Sequence, residues 1–153
     1  MSDLELIQRL CLSAALGAAL GFEREWRQKY AGLRTNILIA IGSTLFTVMS
    51  VDLSAAAGGD ATRIAAQIVT GIGFLGAGAI MRTGSGIRGL TTAAMIWVNA
   101  AIGVAVGGGE YHVAIIATGV TLLVLVALNP VEQWMDRQTP RRRKDASSKE
   151  DGA

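Results

Sequence analysis

Cys11 is the one cysteine in the 153 residues, so an intrachain disulfide and a multi-cysteine zinc site are both excluded. It falls in an apolar run and is expected to be a small buried hydrophobe of a helix. Histidine is equally scarce: His112 stands beside Tyr111 and reads as an interface residue. No serine–histidine–carboxylate set, metal-ligand spacing or cofactor fingerprint is present. Neither an enzyme nor a bound cofactor or metal is therefore predicted. Charge is thin, at 17% of residues against about 25% in soluble domains. Aromatics are 5% and prolines number two. This composition argues against a disordered chain, a coiled coil and an ordinary soluble enzyme. No nucleic-acid partner is expected.

What remains is apolar and small. Hydrophobic residues make up 51% and glycines number 19, with a mean hydropathy of +0.42. A chain this short cannot hide so much apolar surface in one core, and glycine is frequent in transmembrane helices. The predicted fold is an all-α integral membrane protein, a bundle of about five transmembrane helices. A bilayer core takes roughly 20 apolar residues, with about 17 as the lower limit. Five runs qualify or come close: 4–22, 36–57, 64–81, 90–106 and 113–128, the last stopped by Asn129-Pro130. Four spans and one interfacial helix are the alternative. Asp3 and Glu5 precede Arg9, so the start lacks the basic region of a signal peptide and reads as an uncleaved first helix.

Basic residues collect on the cytoplasmic side of membrane proteins. Arg24, Arg27, Lys29 and Arg34 lie in segment 23–35, and Arg82 and Arg88 in segment 82–89. Arg137, Arg141, Arg142, Arg143, Lys144 and Lys149 lie in the tail. Twelve of the fourteen basic residues thus share one side of a five-span arrangement. The N-terminus is expected outside and the C-terminus in the cytoplasm. Residues 1–136 form the predicted transmembrane domain; 137–153 form a polar, aperiodic tail expected to be disordered. Its basic run at 141–144 either marks topology or touches anionic lipid headgroups. Asp3, Glu5, Asp52, Asp60 and Glu110 fall on the outer side. Asp60 suits the cap of the third helix; a weak cation site from Asp52, Asp60 and Glu110 is the alternative.

Small residues let membrane helices approach closely. Gly17 and Gly21 are four apart in span one, as are Gly103 and Gly107 in span four, and span three carries Gly71, Gly73, Gly76 and Gly78. Thr92, Asn99, Gly103 and Gly107 lie at i, i+7, i+11 and i+15, one face of a helix. Gln67, Gly71 and Gly78 lie at i, i+4 and i+11 on another. These two stripes are expected to pack with Gln67 and Asn99 facing inward, since a bare amide in hydrocarbon costs several kcal/mol. The amides are either interhelical glue or a functional polar path.

Charge chemistry concentrates on the cytoplasmic side. Glu23–Arg27 and Glu25–Lys29 are i,i+4 pairs with Glu first, the favourable order, so helix one is expected to continue to about Lys29. Trp26 and Tyr30 suit an interfacial belt. Gly84, Gly86 and Gly89 surround Arg88, and Thr91 or Thr92 is expected to cap span four. Pairing between the two basic loops is one reading. An anionic ligand or lipid headgroup held by the glycine-rich turn and Arg88 is the other; no P-loop spacing is present.

The blocks GFEREWRQKYAGLRTNILIAIGS, DATRIAAQIVTGIGFLGAGAIMRTG and IRGLTTAAMIWVNAAIGVAVGGG resemble, in this order, the signature blocks of the MgtC/SapB membrane proteins. The resemblance covers about residues 10–128. It implies a bacterial inner-membrane protein linked to growth in low magnesium, intracellular survival of pathogens and control of the membrane ATP synthase. It points to Glu23, Arg24, Ala31, Gly32, Leu33, Arg34 and Thr35, then to Asp60, Arg63, Gln67, Gly71, Gly73, Phe74, Gly76 and Gly78. In the third block it points to Arg88, Gly89, Thr91, Thr92 and Trp97. Longer members continue into a soluble ACT-like domain, where this chain has a short basic tail, so functions needing that domain are not expected of it.

The leading expectation is a non-enzymatic regulator. It would contact membrane lipid and another inner-membrane protein or a second copy of itself through the small-residue faces of spans one, three and four. Gly103→Leu should then block a close contact by overpacking. Two other readings stand beside it. One is a small Mg²⁺ transporter or channel, its path lined by Gln67, Asn99 and threonines and gated by Arg34, Arg88 and Glu23. The other is a membrane scaffold whose basic loops bind lipid or a partner.

Overall fold

The computed structural model describes residues 1–58, 60, 62–83 and 86–138. Its elements are α1 (Asp3–Trp26), α2 (Leu33–Ala57), α3 (Thr62–Gly78), β1 (Met81–Thr83), β2 (Gly86–Arg88), α4 (Leu90–Gly107) and α5 (Tyr111–Gln138). The all-α membrane bundle expected from composition is what forms. Among the described residues, four helices are long and apolar enough to cross a membrane: α1, α2, α4 and α5. The 17 residues of α3 extend about 25 Å at 1.5 Å per residue, short of a hydrocarbon core of about 30 Å.

The chain forms two compact units, Met1–Leu122 and Leu123–Ala153. In the first, α1 and α4 both pack on α2. Gly17 abuts Asn36 and Ala40, whereas Gly21 abuts Leu33, so α1 runs antiparallel to α2. Gly103 abuts Ala40 and Ser43, and Gly107 abuts Thr44 and Thr47, so α4 runs parallel to it. Leu20, Ala40, Ile102 and Val106 are fully buried or nearly so. A second apolar cluster, Ile39, Ile72, Ile96 and Ala100, joins α2, α3 and α4, with Ala31, Ile68 and Ala79 against it. The described part of the second unit is the remainder of helix α5, from Leu123 to Gln138.

Helix ends differ from the sequence expectation in three places. α1 stops at Trp26, not near Lys29. Gln28 turns to φ +52°; its N–H donates to the Glu25 carbonyl, and the Lys29 N–H donates to that of Arg24. This left-handed C-terminal lock satisfies the last carbonyls and outweighs the weak Glu25–Lys29 pairing. α5 runs through Pro130 to Gln138; proline removes one donor and costs about 3 kcal/mol, and the good helix formers that follow it in sequence carry the helix on. Residues 139–153 of the expected tail lie outside the described residues. Neither Thr91 nor Thr92 caps α4: the N-cap is Gly89 at φ +90°, without a side-chain cap. A Cβ there would sit 1.9 Å from the Ala79 carbonyl oxygen, so only glycine fits. Residues 81–83 and 86–88 pair as an antiparallel hairpin, with Met81 opposite Arg88 and Arg82 opposite Ile87. Cys11 is exposed on α1 rather than buried.

Candidate functional site

The centre of the first unit is a polar seam on α2. Asn36, Ser43, Thr44, Thr47 and Ser50 are buried along one side of that helix. Asn99 Nδ2 on α4 donates to the Asn36 main-chain oxygen at 2.8 Å and to its side-chain oxygen at 3.1 Å. Asn36 Nδ2 donates to the carbonyls of Ala31 and Gly32 at 2.5 and 2.9 Å. Thr44 Oγ1 donates to the Gly103 carbonyl at 2.9 Å. These bonds form because the glycines remove the side chains that would hold the backbones apart. A Cβ on Gly103 would come 2.6 Å from the Ala40 oxygen, and one on Gly17 2.7 Å from that of Asn36. Thr92 is buried, Thr91 exposed.

Gln67 does not join this seam. It is exposed on α3, while Asn99 is fully buried against α2. The expected inward packing of the two amides is therefore not formed. The reason lies in α2, whose small polar stripe takes up the Asn99 face. The glycines of α3 divide likewise. Gly76 packs near Ala93, and a Cβ on Gly71, Gly73 or Gly78 would meet nothing within 4 Å. Between α2 and α3 runs an apolar groove of about 540 Å³, lined among others by Thr35, Gly42, Phe46, Gln67, Gly71 and Leu75. Trp97 lines a second groove, of about 400 Å³, between α3 and α4.

The charged end is assembled within the first basic segment. Glu23 and Arg24 are buried at 9% and 4% exposure. Arg27 Nε approaches Glu23 Oε1 at 2.5 Å, and Arg24 Nη1 approaches Oε2 at 3.6 Å; a buried carboxylate needs such partners. Glu25 Oε2 accepts the Leu33 N–H at 2.8 Å, closing the start of α2 that Gly32 leaves without a side-chain cap. The expected pairing between the two basic loops does not appear among the described residues. Arg34, Thr35 and Arg88 are exposed.

At the other end, Asp60 Oδ1 accepts from the Thr62 N–H at 2.8 Å and from its hydroxyl at 2.7 Å. Those two bonds, with the charge of Arg63, hold its carboxyl below the ordinary carboxylate value. Asp60 thus bonds to the first residue of α3, Thr62. Asp52, Asp60 and Glu110 form no cation site: among the described residues no three acidic, histidine or cysteine side chains are grouped to hold a metal. Arg9 pairs with Glu5 at 2.6 Å and donates to the Gly107 carbonyl at 2.5 Å, tethering α1 to the end of α4. Sequence reasoning missed Arg9 and the α2 seam. The signal was there: Asn36, Ser43, Thr47 and Ser50 recur at helical spacing.

The family model described as "MgtC family" matches residues 10–134. The "Protein MgtC" of Salmonella typhimurium is 49% identical over 131 residues, covering 86% of this chain and 55% of that protein. The "Protein MgtC" of Brucella abortus is 48% identical over 136 residues, covering 86% and 56%. An uncharacterised protein of Synechocystis, slr0014, is 43% identical over 134 residues, covering 88% and 56%. No solved structure matches. The chain spans about half the length of the curated relatives it matches. With most of its length matched by the family model and nearly half the aligned residues identical to those of proteins named MgtC, the chain belongs to the MgtC family.

Proposed function

We propose that the chain is a regulatory protein of a bacterial inner membrane that catalyses no reaction. It crosses the membrane with its N-terminus outside and its basic end in the cytoplasm, and it acts by helix–helix contact on another inner-membrane protein. Magnesium homeostasis, growth in low magnesium and control of the ATP synthase are its settings. The observation that carries this reading is the outer face of α3. Ala66, Thr70, Gly73 and Ala77 are exposed at helical spacing, beside Phe74 at 81% exposure. Such a stripe suits close approach by a second membrane helix. The glycines of α1 and α4 are taken up by α2, so they are not the contact.

The test compares ATP-driven proton pumping in inverted membrane vesicles with and without the full chain, and with Gly73→Leu. The chain is expected to lower pumping, and Gly73→Leu to abolish that effect. Pumping unchanged by the chain, or Mg²⁺ flux through proteoliposomes above that of empty ones, would overturn the reading; flux would make the chain a transporter.

A further inference from the structure

We propose that the groove between α2 and α3 is a binding site for one anionic phospholipid, with an acyl chain lying over Gly42 and Gly71 and the phosphate held by Arg34. The shape of the groove selects a chain. It is apolar, of about 540 Å³, within the roughly 300–1,000 Å³ of small-ligand sites. A Cβ on Gly42 or Gly71 would meet nothing within 4 Å, so both glycines leave open space. Along α2 the groove runs from Thr35 to Phe46, about 16 Å at 1.5 Å per residue. That is half of a hydrocarbon core of about 30 Å, the depth of one leaflet. A partner's transmembrane helix would need the full depth; one acyl chain does not.

The charge at its mouth selects the headgroup. Thr35 closes the groove at the basic end of the bundle, next to Arg34. Arg34 is exposed, and its side chain makes no hydrogen bond or ion pair among the described residues. The Leu33 N–H is already held by Glu25, and the Arg34 guanidinium is the charged group beside it that is left for an anion. Arg88 stands on the same end, exposed and likewise without a side-chain partner among the described residues. Ala79, at the junction of α3 and the hairpin, packs in one cluster with Ala31, just before α2. Guanidinium groups bind phosphate through two parallel bonds, and basic pockets on the cytoplasmic side of helix bundles suit anionic headgroups.

The full chain is extracted in mild detergent from vesicles of equal phosphatidylglycerol and phosphatidylcholine, and retained lipid is counted by native mass spectrometry. One phosphatidylglycerol per chain is expected, enriched about tenfold over phosphatidylcholine, the ratio that one charge-assisted hydrogen bond supplies. Arg34→Gln should remove the enrichment while a lipid is still held. Gly71→Leu, and Gly42→Leu on the opposite wall, should release the lipid with helix content unchanged by circular dichroism. Equal retention of the two lipids by the wild type would overturn the proposal. So would lipid kept by both leucine variants, or an enrichment that survives in Arg34→Gln. A dimer that comes apart in Gly71→Leu would place a second copy in the groove and overturn it too.

Discussion

Asn99 gives its side-chain amide to both oxygens of Asn36, at 2.8 Å to the main chain and 3.1 Å to the side chain. Asn36 passes its own amide on to the carbonyls of Ala31 and Gly32. One amide pair therefore ties α4 to α2 and α2 to the loop that leads from α1. In a bilayer no water replaces a lost partner, so the pair fixes which face of α4 turns inward.

The pair should behave as a unit. Asn36→Leu and Asn99→Leu should each cost about 1–3 kcal/mol, because each strands buried partners. The double variant should cost less than the sum, by the roughly 0.6–1.7 kcal/mol found for interhelical hydrogen bonds in membranes. Unfolding in mixed micelles measures the cycle; additive losses would show that the two amides are not coupled.

Glycine substitutions should separate by helix. Gly103→Ala places a methyl 2.6 Å from the Ala40 oxygen and 2.7 Å from Ser43 Cβ, and should destabilise by about 1–3 kcal/mol. Gly71→Ala meets open space and should be neutral, or stabilising by up to about 1 kcal/mol through helix propensity. Gly103→Leu disrupts the fold itself, not an external contact. Equal melting temperatures for Gly103→Ala and Gly71→Ala would refute this division.

Asp60 should titrate low. Its carboxylate accepts two bonds from Thr62 and lies near the charge of Arg63, and each favours the ionised form. The support it gives to the start of α3 is complete above the ordinary aspartate value near 3.8 and is lost as pH falls through the depressed one. Carbon-detected NMR of the Asp60 carboxyl should show a midpoint below 3.8, and Thr62→Val should move it upward. An unmoved midpoint in Thr62→Val would remove the side-chain bond as a cause.

The legible part of the fold was the part that depends on one helix at a time. The apolar runs gave five helices, the Glu23–Arg27 spacing gave an ion pair at 2.5 Å, and Asp60 gave support to a helix start. Local spacing misled where a backbone turn competed with a weak side-chain pair, as at Gln28, and where a helix absorbed Pro130. The structure buries Glu23 beside Arg24 and bonds Asp60 to Thr62. Asn36 was passed over because it sits at the edge of an apolar run, where an amide looks like a helix end.

The sequence by itself determined that this is a helical membrane chain, because hydrophobicity acts through the solvent and needs no knowledge of neighbours. Only the tertiary structure decided which stripes meet. Gly17, Gly21, Gly103 and Gly107 close on α2, while Gly71 and Gly73 stay open, although their composition is alike. Close packing is a property of two surfaces in register, and α2 supplies the second surface for α1 and α4. The open side of α3 and the groove beside it are what that choice leaves exposed.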